Sequence, residues 1–170
     1  MEPRQTLTQK DVNRLLQDPS SDNRATMAGK VAHQFEQELS PAERKIAEDI
    51  IGLMARDAAV MVRQALAENL RHVSDVPHDV AMRLAKDVES VALPLLESSS
   101  VFSDSDLIEI LQSGSEQKQT AIALRPEVSD TVSNVIVSTS GEKTVAALMS
   151  NEGAKITETA LTKEIGRAHV

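Results

Sequence analysis

The chain has 170 residues, of which 41% are hydrophobic and 26% charged, a composition that suits one soluble domain with a sizeable core. It contains two Phe but neither Tyr nor Trp, so the core must be aliphatic, and side chains that stack on bases or sugars are scarce. The net charge of −8 argues against binding to nucleic acid or to an anionic membrane surface.

The cellular location is predicted from two further features of the sequence. The chain contains no cysteine, as is common in a reducing compartment. The first residues, MEPRQTLTQKDV, lack the apolar core of a signal peptide, and no apolar run approaches the ~18 residues of a membrane span. We therefore expect a cytoplasmic protein that binds neither nucleic acid nor membranes.

Apolar residues at helical spacing dominate the first part of the chain. Val12, Leu15 and Leu16 lie on one face of a first predicted helix. A second helix is predicted with one side formed by Ala25, Ala28, Val31, Ala32 and Phe35. The stretch SPAE at residues 40–43 predicts a third helix start, with a Ser cap, Pro at the first helical position and Glu at the third.

Two more helices are predicted before residue 90. The first covers RDAAVMVRQALAENL at residues 56–70, and the second follows a break at SDVP, residues 74–77. The first is expected to bury Val60, Val62, Leu66 and Leu70, and the second is marked by Val80, Leu84 and Val88.

The second half of the chain continues the helical pattern. Pro94 lies inside an apolar run and should bend its helix or delay its start. SDSD at residues 103–106 predicts a capped helix, and Pro126 is expected to open another that continues through Ile136. The β-branched run VSNVIVSTS could indicate a strand, but no second strand is available to pair with it. Gly141 separates the last two predicted helices.

Short apolar blocks recur along the chain and predict its fold class. Blocks begin at Val62, Val91, Ala121 and Val145, with steps of 29, 30 and 24 residues, and each follows another amphipathic helix. A recurring two-helix unit is typical of solenoids, in which one hairpin stacks on the next to bury its apolar face. We expect an all-α, right-handed, HEAT-like α-solenoid of about five stacked antiparallel helical hairpins, forming a single domain over residues 1–170.

An Asp and an Arg six residues apart suggest a structural role within such a repeat. In HEAT repeats, an Asp near the start of the second helix and an Arg six residues later form a ladder between neighbouring units. Asp57 and Arg63 fit this pattern, and Asp87 fits its Asp half, although Leu93 stands where the second Arg would be. We interpret Asp57, Arg63 and Asp87 as a structural ladder rather than as a site.

Several stretches of the chain resemble a known bacterial family. They are DVNRLLQDPSSDNRATMAGKVA, ARDAAVMVRQALAENL, VPHDVAMRLAKDVESVALPLLESSSVFSDSDLIEIL, AIALRP and LMSNEGA, spread over residues 11–155. They resemble a mainly alphaproteobacterial HEAT-like family of uncharacterised proteins, domain of unknown function twenty-three thirty-six. The family often has Arg where Leu124 stands. Many of its members look longer than 170 residues, so we interpret the chain as an N-terminal portion of a longer protein. The resemblance implies a helical repeat fold and no particular activity.

Residue patterns for catalysis, metals or cofactors are weak throughout the sequence. His72 and His78 flank a loop that contains Asp75, but their spacing is not a metal-ligand pattern. Asp104 and Asp106 stand where helix caps belong, and the glycines form no phosphate-binding loop. We therefore predict no catalytic, cofactor-binding or metal-binding residue.

The remaining candidate is a protein-binding groove on the solenoid. Second helices usually line the concave face of such a stack, and the polar residues expected there are Arg63, Gln64, Asn69, Arg71, Arg125, Asn134 and Asn151. These side chains would hydrogen-bond a protein or peptide partner while exposed aliphatic residues supply burial. The predicted function is a non-enzymatic scaffold for protein–protein interaction.

Two alternatives remain open at the level of the sequence. The chain could be an assembly module that forms a homodimer through the open C-terminal end of the solenoid, at TETALTKEIGR. It could also be a HEAT-like enzyme that processes a base or a bilin, although the absence of Trp and Tyr argues against this.

Overall fold

A computed structural model describes residues 9–168, apart from the side chains of residues 12, 167 and 168. Within that range the chain is all-helical, and its only β contact is an isolated bridge between Val128 and Ala154. None of the described helices is both long and apolar enough to cross a bilayer. The helices are α1 (Gln9–Gln17), α2 (Ser21–Gln34), α3 (Pro41–Met54), α4 (Val60–Leu70), α5 (His78–Ala85), α6 (Glu89–Ser98), α7 (Asp104–Ser113), α8 (Glu116–Ala123), α9 (Asp130–Thr139), α10 (Glu142–Ser150) and α11 (Glu158–Ala168).

Serine caps fix the starts of several of these helices. Ser40 accepts a hydrogen bond from the backbone NH of Glu43, and the Glu43 carboxylate accepts one from Ser40. Ser103 and Asp106 form the same reciprocal pair at the start of α7. Because unpaired NH groups at a helix start need acceptors, these caps stabilise the boundaries that the sequence predicts.

Several local predictions were wrong. The helix predicted over residues 56–70 begins at Val60, which was expected to be buried but is exposed because it is the first residue of α4. Val88 was expected in the helix after residue 77, but it lies beyond α5 and precedes the first turn of α6. The helix expected to open at Pro126 begins instead at Asp130, with Ser129 as its cap. The residues before it are held outside the helix by the bridge from Val128 to Ala154.

The contacts divide the chain into two compact units, and the single domain stays a prediction. Unit 1 comprises the described residues up to 95 together with 99–101, and unit 2 comprises 96–98 and the described residues from 102 onward. The residues of α6 are therefore shared between the two units.

In unit 1, α2 packs along α4 through small side chains. Ala28, Ala32 and Ala67 are fully buried. A Cβ at Gly29 would lie 3.3 Å from the side-chain nitrogen of Asn69 on α4. The small residues therefore permit a close approach of the two helices, as the aliphatic composition suggested.

In unit 2, each helix packs on the helix two places further along the chain. Helix α7 contacts α9, α9 contacts α11, and α8 contacts α10, while chain neighbours such as α7 and α8 also touch. The four residues that open the recurring blocks, Val62, Val91, Ala121 and Val145, are all buried, and they lie on α4, α6, α8 and α10. The sequence repeat thus marks the alternate helices of the fold.

Candidate functional site

Two arginine–aspartate pairs link the helices of unit 1. Arg24 on α2 donates from Nε and Nη2 to the two carboxylate oxygens of Asp57, at 2.8 and 3.0 Å. Arg63 on α4 donates in the same two-pronged way to Asp87, at 2.6 and 3.0 Å. Such paired geometry is stronger and more directional than a single contact. We call these four residues the ladder.

The connection between Asp57 and Arg63 runs through the backbone. Arg63 Nη1 donates to the carbonyl oxygen of Asp57 at 2.6 Å, while the Asp57 carboxylate is bound by Arg24. The structure therefore brings together the three predicted ladder residues, Asp57, Arg63 and Asp87. Arg24, which the sequence analysis did not single out, is the fourth member.

The ladder aspartates also cap helices that lack a serine. The residues Ala59 and Val88 precede α4 and α6 and have no capping side chain. Asp57 Oδ1 accepts the NH of Ala59 at 2.9 Å, and Asp87 Oδ1 accepts the NH of Val88 at 2.7 Å. Each carboxylate thus satisfies a helix start and an arginine together, which fixes the position of both.

The charges of the ladder are mutually stabilised. The hydrogen bond from Arg24 lowers the pKa of Asp57, more than the partial burial of the carboxyl raises it. The hydrogen bond to Asp87 raises the pKa of Arg63 in turn. Asp57 therefore stays ionised at neutral pH.

A cleft of about 740 Å³ lies beside the ladder, entirely within unit 1. Its lining residues are Ala55, Arg56, Asp57, Arg63, Asp79, Met82, Arg83, Lys86 and Asp87. They include four cationic and three anionic side chains, although the whole chain carries −8. The lining therefore carries a net charge of +1, four cations against three anions, and its exposed charged side chains are Arg56, Asp79, Arg83 and Lys86. We call this the basic cleft.

A second cleft of about 440 Å³ adjoins the basic cleft and shares Arg56 and Asp79 with it. It lies between α3 and the start of α5. Five of its nine lining residues are charged, namely Lys45, Glu48, Asp49, Arg56 and Asp79. Leu53, which is 71% exposed, is the main apolar contribution, since Val80 is buried. We call this the second cleft.

Three other groove candidates of unit 1 lie outside both clefts and make local contacts. Gln64 donates to Glu68 one turn along α4, and Asn69 donates to the carbonyl of Ala65 on its own helix. Arg71 donates to the imidazole of His72 at 3.1 Å. Their place in a binding groove therefore stays a prediction.

Arg125 was predicted to face a binding groove, and this prediction was wrong. Its side chain is 8% exposed, and its guanidinium donates to the carbonyl oxygen of Leu96 at 2.6 Å. Burial lowers the pKa of Arg125, since a charge is less stable away from water. Arg125 is therefore part of the interior of unit 2.

Asn151 also has a structural position in unit 2. Its amide nitrogen donates to the carbonyls of Ala123 and Arg125, both at 2.8 Å, and its amide oxygen accepts the NH of Gly153. The backbones of Val128 and residues 153–155 exchange two further hydrogen bonds. This arrangement, which we call the clasp, ties the loop after α8 to the loop after α10. Asn134, the last groove candidate, accepts a hydrogen bond from Thr157 near α11.

The clasp explains two motifs on which the family resemblance rests. AIALRP supplies Arg125, and LMSNEGA supplies Asn151 and Gly153. A Cβ at Gly153 would lie 1.8 Å from the carbonyl oxygen of Pro126, so only glycine permits this approach of the two loops. These motif residues therefore have a structural reason to be present.

The sequence analysis missed the basic residues of the cleft. Arg56, Arg83 and Lys86 lie near the predicted ladder, but an exposed Arg or Lys on a short helix is ordinary. A signal was available in α5, where Asp79, Arg83 and Lys86 follow helical spacing around an otherwise buried helix. Among the described residues, no group of three or more His, Asp or Glu side chains is placed to hold a metal ion.

Comparison with known proteins identifies the second part of the chain. Residues 91–169 match a family described as an uncharacterised protein conserved in bacteria (DUF2336). The match confirms the resemblance to this family for the motifs after residue 90. Neither the curated proteins nor the solved structures yield a match. The basic cleft, at residues 55–87, lies before the matched region.

Proposed function

We propose that the chain is a non-enzymatic scaffold for protein–protein interaction, built from HEAT-like helical hairpins of the α-solenoid type, and that its basic cleft binds a segment of another protein. The packing of alternate helices in unit 2 supports the repeat architecture. The recurrence of buried blocks on α4, α6, α8 and α10 supports it as well.

The observation that carries the binding proposal is the basic cleft itself. The ladder holds Arg63, Asp57 and Asp87 in fixed positions on its lining. The exposed Arg56 and Arg83 then present positive charge on a chain that is acidic elsewhere. A rigid lining with exposed arginines favours a carboxylate-rich peptide, since guanidinium groups bind carboxylates with directional hydrogen bonds.

The same geometry supports binding over catalysis. The acids Asp57 and Asp87 are occupied by arginine hydrogen bonds and by backbone NH groups. The lowered pKa of Asp57 leaves it without a proton to donate at neutral pH. We further propose that the interaction takes place in the cytoplasm, as the lack of cysteine suggested.

A comparative capture experiment tests the proposal. The tagged chain and the double variant Arg56→Glu with Arg83→Glu are incubated with lysate of the source bacterium, and bound proteins are quantified by mass spectrometry. The control is Lys155→Glu with Lys163→Glu, which changes the net charge equally at exposed positions of unit 2. We expect a set of proteins that the control retains and the cleft variant loses.

The proposal is contradicted if both double variants capture the same proteins in the same amounts as the unmodified chain. Circular dichroism of the variants serves as a check on folding, because the substituted side chains are exposed and helix content should not change.

A second candidate function is homo-oligomeric assembly through α11. Leu161 and Ile165 are one turn apart on this helix, and they are 43% and 61% exposed. Exposed aliphatic pairs of this kind favour helix–helix contact. If two copies pair here, light scattering should give a dimer mass for the chain and a monomer mass for Leu161→Glu with Ile165→Glu. A monomer mass for both proteins would exclude it.

A further inference from the structure

The two clefts of unit 1 carry opposite net charges. The lining of the basic cleft has four cations against three anions, a net charge of +1. The lining of the second cleft has two cations against three anions, a net charge of −1. Arg56 and Asp79 belong to both linings. The sign of the lining therefore changes across the junction at which these two residues lie.

Most of the charged side chains on the two linings have a partner within the chain. The ladder residues bind one another. In the second cleft, Glu48 lies 3.3 Å from Arg44, and Lys45 lies 3.1 Å from Asp49. Lys86 of the basic cleft also has a partner. A ligand would have to compete with these internal contacts to use any of these charges.

Three exposed side chains on the linings make no hydrogen bond or ion pair with any residue that the structure describes: Arg56, Asp79 and Arg83. Asp79 and Arg83 are four residues apart on α5, a spacing at which opposite charges on a helix commonly pair. Here both remain open to a ligand. The groups available at the junction are therefore two guanidinium groups and one carboxylate.

We propose that the protein segment bound by unit 1 is of mixed charge, with an acidic residue at Arg56 and Arg83 in the basic cleft and a basic residue at Asp79, toward the second cleft. This rests on the proposed scaffold function and adds the charge pattern of the partner. A purely acidic segment would place a carboxylate beside Asp79, and like charges brought together at an interface lower affinity. A segment with both charges complements the two clefts at once.

The spacing of the two charges on the segment follows from α5. Asp79 and Arg83 are four residues apart, which is about 6 Å along the helix at 1.5 Å per residue. In an extended peptide, alternate side chains point to the same side and are about 6.6 Å apart. The acidic and the basic residue of the segment are therefore expected two positions apart.

Asp79→Asn separates a mixed-charge segment from an acidic one by the sign of its effect. A mixed-charge segment loses the partner of its basic residue and binds more weakly, whereas a purely acidic segment is relieved of repulsion and binds more tightly. Asp130→Asn is the matched control. Asp130 is also exposed in the first turn of a helix, α9 of unit 2, so both variants change the net charge and the helix start in the same way.

The test is selection of displayed random peptides on the immobilised full chain, followed by fluorescence anisotropy with the best synthetic peptide. We expect enriched peptides with an Asp or Glu two positions from a Lys or Arg. Because an exposed charge pair changes affinity by a factor of about two to five, the peptide should bind Asp79→Asn weaker by about that factor. Arg83→Glu should weaken it further, and Asp130→Asn should leave its affinity unchanged.

A charge exchange checks the position of the basic residue. The peptide whose Lys or Arg is replaced by Glu should bind Asp79→Lys more tightly than it binds the unmodified chain. The original peptide should show the opposite preference. Circular dichroism confirms that the variants keep their helix content, since the substituted side chains are exposed.

Two results would overturn the inference, and they differ in what they say of the scaffold function. If enriched peptides depend on Arg56 and Arg83 but bind Asp79→Asn as tightly as the unmodified chain or more tightly, the segment is acidic and only its charge pattern is wrong. If no enriched peptide is sensitive to Arg56→Glu with Arg83→Glu, the proposed binding function fails together with the inference.

Discussion

The two units link their helices and loops through different kinds of side-chain contact. In unit 1, the charged pairs Arg24–Asp57 and Arg63–Asp87 link one helix to the segment before a later one. In unit 2, the comparable link is the clasp, where the neutral side chain of Asn151 donates to two backbone carbonyls. The helices of unit 1 are thus linked by ion pairs, and those of unit 2 by an amide side chain. The ion pairs of unit 1 also place charged side chains on the lining of the basic cleft.

This difference coincides with the extent of the family match. The clasp lies inside residues 91–169, which match the DUF2336 family, and the basic cleft lies before them. The region that matches the family therefore contains the clasp, a structural contact, whereas the basic cleft, the candidate binding site, lies in the residues before it. Substitutions in the two units should consequently affect different properties.

The largest expected effect is that of Gly153→Ala in the clasp. The added Cβ would overlap the carbonyl oxygen of Pro126 at 1.8 Å, so the two loops must separate. We expect a loss of about 3 kcal/mol or more in the free energy of unfolding, measured by urea denaturation. The control is Gly166→Ala, which has open space and should be neutral or slightly stabilising. Equal stability of the two variants would contradict the clasp geometry.

Arg63→Ala should have the next largest effect, through the ladder of unit 1. It removes a two-pronged bond to Asp87 and a bond to the Asp57 carbonyl. Since both side chains of the pair keep some exposure, 16% and 13%, we expect a loss of about 2 kcal/mol, less than for a fully buried pair. The melting temperature should fall before any binding is affected. An unchanged melting temperature with lost binding would show that Arg63 acts as a ligand-binding residue instead.

Two asparagines offer a matched test of the comparison. Asn151→Ala leaves the carbonyls of Ala123 and Arg125 without their donor and should cost about 1.5 kcal/mol. Asn69→Ala removes a bond to its own helix at an exposed position and should cost less than about 0.5 kcal/mol. Thermal melts of both variants check this order, and the reverse order would refute the distinction between a clasp residue and a surface residue.

The smallest expected effect is a dependence of unit 1 on pH. Because the folded-state pKa of Asp57 is lowered, its contribution to stability is present at neutral pH and above the ordinary aspartate value of about 4. It is lost as the pH falls through the lower pKa of the folded state. Between pH 7 and 3, the melting temperature of the unmodified chain should therefore fall more than that of Asp57→Asn. Parallel curves for the two proteins would mean that the Arg24 contact leaves the titration of Asp57 unaltered.

Much of the fold could be predicted because its signals are local. Helix starts at Ser40 and Ser103 depend on residues three positions apart, and the recurring blocks depend on spacing within one helix. The actual carboxylate partner of Arg63 is Asp87, 24 positions away. That pairing depends on how the helices pack, which spacing along the chain does not determine.

The site was harder to predict for the same reason. Arg125 is polar and was therefore expected on the surface, yet the packing of unit 2 buries it against Leu96. Arg83 and Lys86 are ordinary surface residues in the sequence, and they form part of a site only because α5 lies beside the ladder. Tertiary packing determines both the burial of Arg125 and the position of the cleft residues. Sequence patterns therefore predict the helices but do not predict the cleft.

The most direct test of the central claim is hydrogen–deuterium exchange of the full chain with and without its captured partner. Our account predicts slower exchange on binding in the backbone of residues 52–56 and 77–87, which line the two clefts. The clasp segments at residues 123–128 and 151–155 should be unchanged. Protection confined to the clasp or to α11, with none along α5, would contradict the assignment of binding to unit 1.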